Sequence, residues 1–391
     1  MKFRHLTFLA TAALAVRLWQ KRRIFRLFDA AERFHNFRHM EELFPARRIQ
    51  RGGDVFAFGR AERDFSNFTF PHLHDGQPRH LEEFLQRTCT TGFLIIHKDQ
   101  ILHERYMNGA TAESRHLSWS VGKSFVSALV GFAVAEGHIG SVDEPITQYV
   151  PELRGSGYDG VPIKHILQMS SGIYFKEDYR VSLFSEINKF MFALYVLGIP
   201  LERYIANLRS HQPSGQFNQY RSADTEALGM LLRRVTGRPL TAYLEEKIWR
   251  PLGMEADALW LLDAHGVEVA LGCLNCTTRD YARFGRLYLH EGNWNGRQLL
   301  PAQWVRDSVT ADAPHLQPGA HNLSDYHLGY GYQWWLPENP QGDFVAIGIW
   351  GQYIYVHPAK QLIIVKNSVD PDHEIHDDET ISLFRALAAA F

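Results

Sequence analysis

Trp119-Ser120-Val121-Gly122-Lys123-Ser124 leads directly into Phe125-Val126-Ser127-Ala128-Leu129-Val130-Gly131-Phe132-Ala133-Val134. The second run is apolar on nearly every face, the pattern of a helix buried inside a protein. Ser120 and Lys123 stand three apart, so a helix sets both side chains on one face with the amine in reach of the hydroxyl. The free N–H groups and the positive dipole end of a helix start favour negative charge developing there. The combination fits acyl transfer by an activated serine without a histidine. A lysine must be neutral to take a proton, and an exposed amine titrates near ~10.4, so burial or nearby positive charge has to lower that value. A capping serine beside a solvated lysine would show the same spacing. Context favours the chemical reading, because this is the only Ser-x-x-Lys in the chain and its helix is too apolar for a surface.

Outward from this stretch, the chain is that of a folded protein with a large core: 391 residues, 45% hydrophobic and 13% aromatic. Its 41 basic and 43 acidic residues leave a net charge of −2, which gives no global attraction for nucleic acid or an anionic membrane. A neutral small-molecule substrate suits it better. Cys89, Cys273 and Cys276 are too few for a disulfide framework, and Cys273-Leu274-Asn275-Cys276 lacks the second ligand pair of a zinc site. At the N-terminus, Lys2, Arg4 and His5 precede an apolar run over 6–16, which reads as a signal peptide or a loose anchor with weak membrane association. Arg17, Lys21, Arg22 and Arg23 follow at once and argue against cleavage, so exported and cytoplasmic locations both stay open.

Periodicity predicts an amphipathic helix over 24–44 that docks on something, then a wrapping loop to about 78. Residues 91–97 and 101–107 around Lys98-Asp99-Gln100 predict an antiparallel hairpin. Helices are expected over 163–169, 186–197, 201–208, 224–235, 240–249, 279–290, 301–309 and 378–390, and late strands over 331–336, 344–349, 353–357 and 362–367. The economical arrangement is α+β: one antiparallel sheet from the early hairpin and the late strands, flanked by terminal helices, with an all-helical lobe inserted at about 141–325. The division expected is 1–23 signal peptide or anchor, 24–78 leader, and 79–391 catalytic domain, with Ser120 in the cleft between lobes.

Acyl transfer also needs a second proton carrier and an oxyanion hole. Tyr220, in a polar loop before a helix, is the candidate proton relay, although a loop tyrosine can equally be packing. Gly348-Ile349-Trp350-Gly351-Gln352 joins two strands, where glycine lets a backbone approach a ligand, and the N–H of Gln352 could join that of Ser120. A plain hairpin turn explains these glycines as well. Tyr179, in a loop after Ser170-Ser171-Gly172, is a candidate leaving-group contact.

Ser120-x-x-Lys123, Tyr220-x-Ser222 and the Trp350-Gly351 strand edge, in this order, resemble the three motifs of the serine β-lactamase and penicillin-recognising enzyme superfamily, nearest its family VIII carboxylesterases and 6-aminohexanoate-dimer hydrolases. Leu167-Gln168-Met169-Ser170-Ser171-Gly172, Pro251-Leu252-Gly253-Met254 and Arg279-Asp280-Tyr281-Ala282-Arg283-Phe284-Gly285 extend the likeness. The resemblance implies a β-lactamase/transpeptidase-like fold, Ser120 as acylated nucleophile, Lys123 and Tyr220 sharing proton transfers, the N–H groups of Ser120 and Gln352 as oxyanion hole, and Tyr179, Ser222, Trp350 and Gly351 around the substrate. It calls for neither metal nor cofactor. Ile349-Trp350-Gly351 departs from the usual Lys-Thr-Gly or His-Thr-Gly, and Ser222 stands where cephalosporinases carry Asn. Both departures point to a small neutral ester or amide. The alternatives are a β-lactamase or D-Ala-D-Ala peptidase acting on cell-wall substrates, and a catalytically silent binding or sensor protein on the same fold.

Overall fold

The early hairpin is present as Thr90–His97 and Gln100–Tyr106, turning through Lys98 and Asp99 at φ 50° and 60°. Two successive left-handed residues make the tight turn whose twist suits antiparallel strands. In the computed structural model, which describes residues 22–72, 75–178 and 185–391, this hairpin pairs with the late strands in one eight-stranded sheet. The spatial order is Gly329–Tyr330, Trp335–Leu336, Phe344–Gly348, Gln352–His357, Leu362–Ser368, Thr90–His97, Gln100–Tyr106 and Gly59–Arg60. All neighbours are antiparallel except the last pair.

The central strands are buried on both faces, which is why they read as continuous apolar runs. Leu94, Ile96, Ile354, Val356, Ile363 and Val365 face one core, and Phe93, Ile95, Tyr353, Tyr355 and Ile364 face the other. Helix Thr278–Leu289 covers the first face, and Arg286 fastens it to the hairpin turn through two bonds of 2.7 Å to the Asp99 carboxylate. Leu81–Arg87 and His373–Ala389 cover the second through Phe84, Leu383, Phe384 and Leu387.

The central helix runs Gly122–Ala135 after a 3₁₀ turn at Trp119–Val121, and it is buried from Gly122 through Ala133. The helical lobe packs beside it as Ile163–Leu167, Glu186–Phe192, Leu201–Ile205, Ser222–Thr236 and Leu240–Leu244. Gln333 joins three of these elements: its carbonyl accepts from the Ser124 hydroxyl at 2.7 Å, its Oε1 from Thr225 at 2.8 Å, and its Nε2 donates to Leu167 O at 2.7 Å.

Two expectations need correction. The segment 24–44 is not one helix but three short turns at Ile24–Arg26, Arg33–Asn36 and Met40–Glu42. Asp29 Oδ1 accepts from Ala31 N at 2.9 Å, and Asn36 Nδ2 donates to the carbonyls of Arg26 and Leu27 at 3.0 and 3.2 Å. Side chains thus take the backbone groups that a continuing helix would use. A second sheet, Ala46–Ile49, Ala258–Leu261, Leu274–Thr277 and Arg115–Leu117, crosses what read as a helical block. Its strands have only three or four residues, and Ala46–Ile49 and Arg115–Leu117 find their partners far away in sequence, so no local pattern announces the sheet. Among the described residues no helix is long and apolar enough to cross a membrane. The expected segment at 1–23 lies almost wholly outside them.

Candidate active site

Ser120 enters the central helix from a strained residue, Trp119 at φ 43°. The chain at 271–273 lies flat on this entry because Gly272 has no side chain: a Cβ there would sit 2.5 Å from Trp119 O. That approach brings the Leu271 carbonyl to Lys123. The Lys123 amine, 1% exposed, donates to Ser120 Oγ at 2.8 Å and to Leu271 O at 2.6 Å. Burial pushes its pKa down to about 8, against the opposing pull of the Glu177 and Glu226 carboxylates. Glu226 Oε1 accepts from Leu271 N at 2.9 Å, so the backbone of a single residue, Leu271, stands between the lysine and this buried carboxyl, raised to about 7 by desolvation.

The Tyr220 ring lies with its centroid 5.0 Å from Lys123 Nζ and stacks on Trp335 at 5.4 Å. Burial drives its phenol well above the ordinary range, and the adjacent Ser120 hydroxyl pulls the other way. The loop carrying it is seated on the 168–169 turn: Gln219 N donates to Met169 O at 3.0 Å and Asn218 Nδ2 to Gln168 O at 3.0 Å.

From the other side the turn between Phe344–Gly348 and Gln352–His357 closes on the serine. A Cβ on Gly348 would lie 2.6 Å from Ser118 O, 3.1 Å from Ser120 N and 3.2 Å from the Gln352 Cβ, so only glycine lets the backbones of Ser120 and Gln352 come together here. Gln352 Nε2 donates to Trp350 O at 3.1 Å and Ser368 O at 2.6 Å and fixes the turn. Trp350, at φ 63°, stacks on Phe28 of the leader at 5.2 Å, and Gly351 packs over Ser368 and Lys366. Beside Ser120 opens a cavity of about 370 Å³ between the leader, the turn at Ile349 and helix Glu186–Phe192. A desolvated hydroxyl, an amine poised to be neutral and a glycine-bearing turn packed close to the Ser120 backbone make an arrangement suited to acyl transfer.

Residues 79–385 match the Beta-lactamase family. The chain belongs to it. It is 34% identical to the 6-aminohexanoate-dimer hydrolase of Paenarthrobacter ureafaciens over 322 residues, 79% of this chain and 81% of that one. A shorter match of 143 residues, 31% identical, covers 34% of the chain and 36% of esterase EstB of Burkholderia gladioli. A solved Bacillus anthracis structure, provisionally assigned as a 6-aminohexanoate-dimer hydrolase, superposes with a TM-score of 0.83 at 25% identity over 93% of this chain and 95% of that one. The family and these relatives are hydrolases, and the β-lactamase/transpeptidase-like fold expected from the motifs is the fold observed.

In this β-lactamase-family chain, Ser120, Lys123, Tyr220 and the Gln352 backbone meet in one place. Tyr179 lies outside the described residues. Ser222 needs revision as a substrate contact: it is fully buried, and its N–H and hydroxyl both go to Glu177 at 2.5 Å. The sequence places Glu177 with Tyr179 in a loop over the cleft but assigns it no role, since its only local signal is an acidic side chain. Motif reasoning passed over the Leu271 carbonyl, which no sequence pattern marks, and the leader's Phe25 and Phe28, which line the cavity. The aromatic run of the leader was the one available signal for those two.

Proposed function

We propose that this protein is a serine hydrolase that cleaves neutral ester or small amide bonds through an acyl-enzyme on Ser120. The observation that carries the reading is the 2.8 Å contact of a desolvated Lys123 amine with the Ser120 hydroxyl. The neutral amine takes the hydroxyl proton as Oγ attacks the substrate carbonyl, and the N–H groups of Ser120 and Gln352 hold the oxyanion. The ammonium then returns its proton, through the Tyr220 phenol, to the departing alcohol or amine as the C–O or C–N bond breaks. In the second half, the amine again takes a proton, now from water, whose oxygen attacks the acyl carbon, and the ammonium passes that proton to Ser120 Oγ as the acyl–Oγ bond breaks and the acid leaves. An amide-cleaving and an ester-cleaving relative support this substrate range. The apolar Ile349 and Trp350 at the turn support a neutral substrate.

Intact-mass measurement after exposure to a p-nitrophenyl ester, a fluorophosphonate and a cephalosporin, with and without Ser120→Ala, tests the reading. Wild type gains one acyl or phosphonyl mass from the first two, and the variant gains none. A Ser120→Ala protein with near wild-type esterase activity overturns it.

A further inference from the structure

The cavity beside Ser120, about 370 Å³, falls at the lower end of the roughly 300–1,000 Å³ usual for small-molecule pockets. Trp119, Leu271 and Cys273 form its buried inner wall, while Phe25 and Phe28, 58% and 49% exposed, form its outer rim. Among the described residues no charged side chain lines it, and the Cys273 thiol, pushed up to about 12 by burial, stays neutral. Neither Lys123, Glu177, Tyr220 nor Ser222 lines it either. A departing group must lie where Lys123 and Tyr220 can protonate it, and since neither side chain lines this cavity, the cavity falls to the acyl chain. A charged chain would be desolvated there without a partner.

The outer rim is a wall rather than a flap. Phe28 stacks on Trp350 at 5.2 Å and 4° and on Trp119 at 6.0 Å and 21°, and Asn36 holds the carbonyls behind it. At about 30 Å³ for each water-sized group, the cavity takes on the order of ten carbons. Resting on the reading of Ser120 as the acylated serine, we infer that the enzyme selects unbranched apolar acyl chains of about six to ten carbons, with Phe25 and Phe28 of the leader setting the limit of length.

The test is kcat/KM of the full chain for p-nitrophenyl esters from acetate to dodecanoate, beside ethyl, hexyl and octyl acetate. Each added acyl methylene should raise kcat/KM by roughly fourfold until the cavity fills, with a peak between hexanoate and decanoate and no gain along the alkyl acetates. Phe28→Ala should move the peak to longer chains, and Met191→Trp should move it toward butyrate. Should Phe28→Ala not fold, Phe25→Ala at the exposed rim reports on the same wall. A flat acyl profile, a length preference in the alcohol series, or a peak unmoved by any of these variants overturns the assignment, provided Ser120→Ala is inactive. Turnover surviving Ser120→Ala instead overturns the serine reading beneath it.

Discussion

Glu177 accepts the backbone N–H and the hydroxyl of Ser222, each at 2.5 Å. Ser222 opens helix Ser222–Thr236, so the carboxylate sits at a helix start, where the dipole favours its charge. That charge favours the protonated form of Lys123. Glu177 is thereby a positioning residue that tunes the amine from a distance.

Removing the charge should make Lys123 easier to deprotonate. Glu177→Gln is expected to shift the acid limb of the kcat/KM profile to lower pH, while Ser222→Ala, which frees the carboxylate to move, shifts it less. Profiles from pH 5.5 to 9.5 measure this, and a limb that stays in place in Glu177→Gln would show that the lysine does not feel the carboxylate.

Lys123 itself titrates at about 8, so kcat/KM should climb about tenfold per pH unit below that value and level off above it. The same shift bears on stability. Below pH 8 the lysine is protonated in folded and unfolded chains alike, and the folded state carries the whole desolvation penalty, on the order of 3 kcal/mol. The penalty fades as pH rises from 8 toward the unfolded value of ~10.4, where both states are neutral. Lys123→Met should abolish turnover, and its Tm relative to wild type should be most favourable below pH 8 and decline by pH 10. A Tm difference that is constant with pH would refute the desolvated amine.

Gly348→Ala inserts a methyl 2.6 Å from Ser118 O and 3.1 Å from Ser120 N. The turn must back away from the serine, which disturbs the proposed oxyanion hole more than the core. Loss of a single such donor lowers kcat by ~10²–10³, and a fall of that order with Tm within a few degrees of wild type is expected for this variant. Activity within threefold of wild type would separate the turn from the chemistry.

Carboxylate-bearing substrates should fare poorly. Ile349 and Trp350 offer no charge-assisted hydrogen bonds of ~1.5–3 kcal/mol each, and losing two amounts to a hundredfold or more. The ratio of kcat/KM for p-nitrophenyl butyrate to that for nitrocefin measures this discrimination. A nitrocefin value at or above the ester value would favour the cell-wall alternative.

Much of the fold was legible because its strands and helices carry their own signals. The hairpin turn at Lys98-Asp99, the two-faced apolar runs of 344–367 and the largely apolar stretch of 125–134 each state a local preference. The leader misled because aromatic residues spaced for a helix satisfy a folded-back path equally well once Asp29 and Asn36 capture backbone groups. The four-stranded sheet stayed hidden because its strands are short and its two outer ones, Ala46–Ile49 and Arg115–Leu117, pair with partners more than a hundred residues away.

For the candidate site the same division holds. Sequence alone determined that a serine and a lysine share one face at the start of a buried helix, since the 3.6-residue period and the apolar run that enforces burial are both local properties. Only the tertiary structure decided what surrounds them: the Leu271 carbonyl on the amine, Glu177 behind Ser222, Gly348 against Ser120, and the leader's Phe25 and Phe28 on the cavity wall. Each of these contacts joins residues far apart in the chain through packing, which leaves no period or motif in the sequence of either partner.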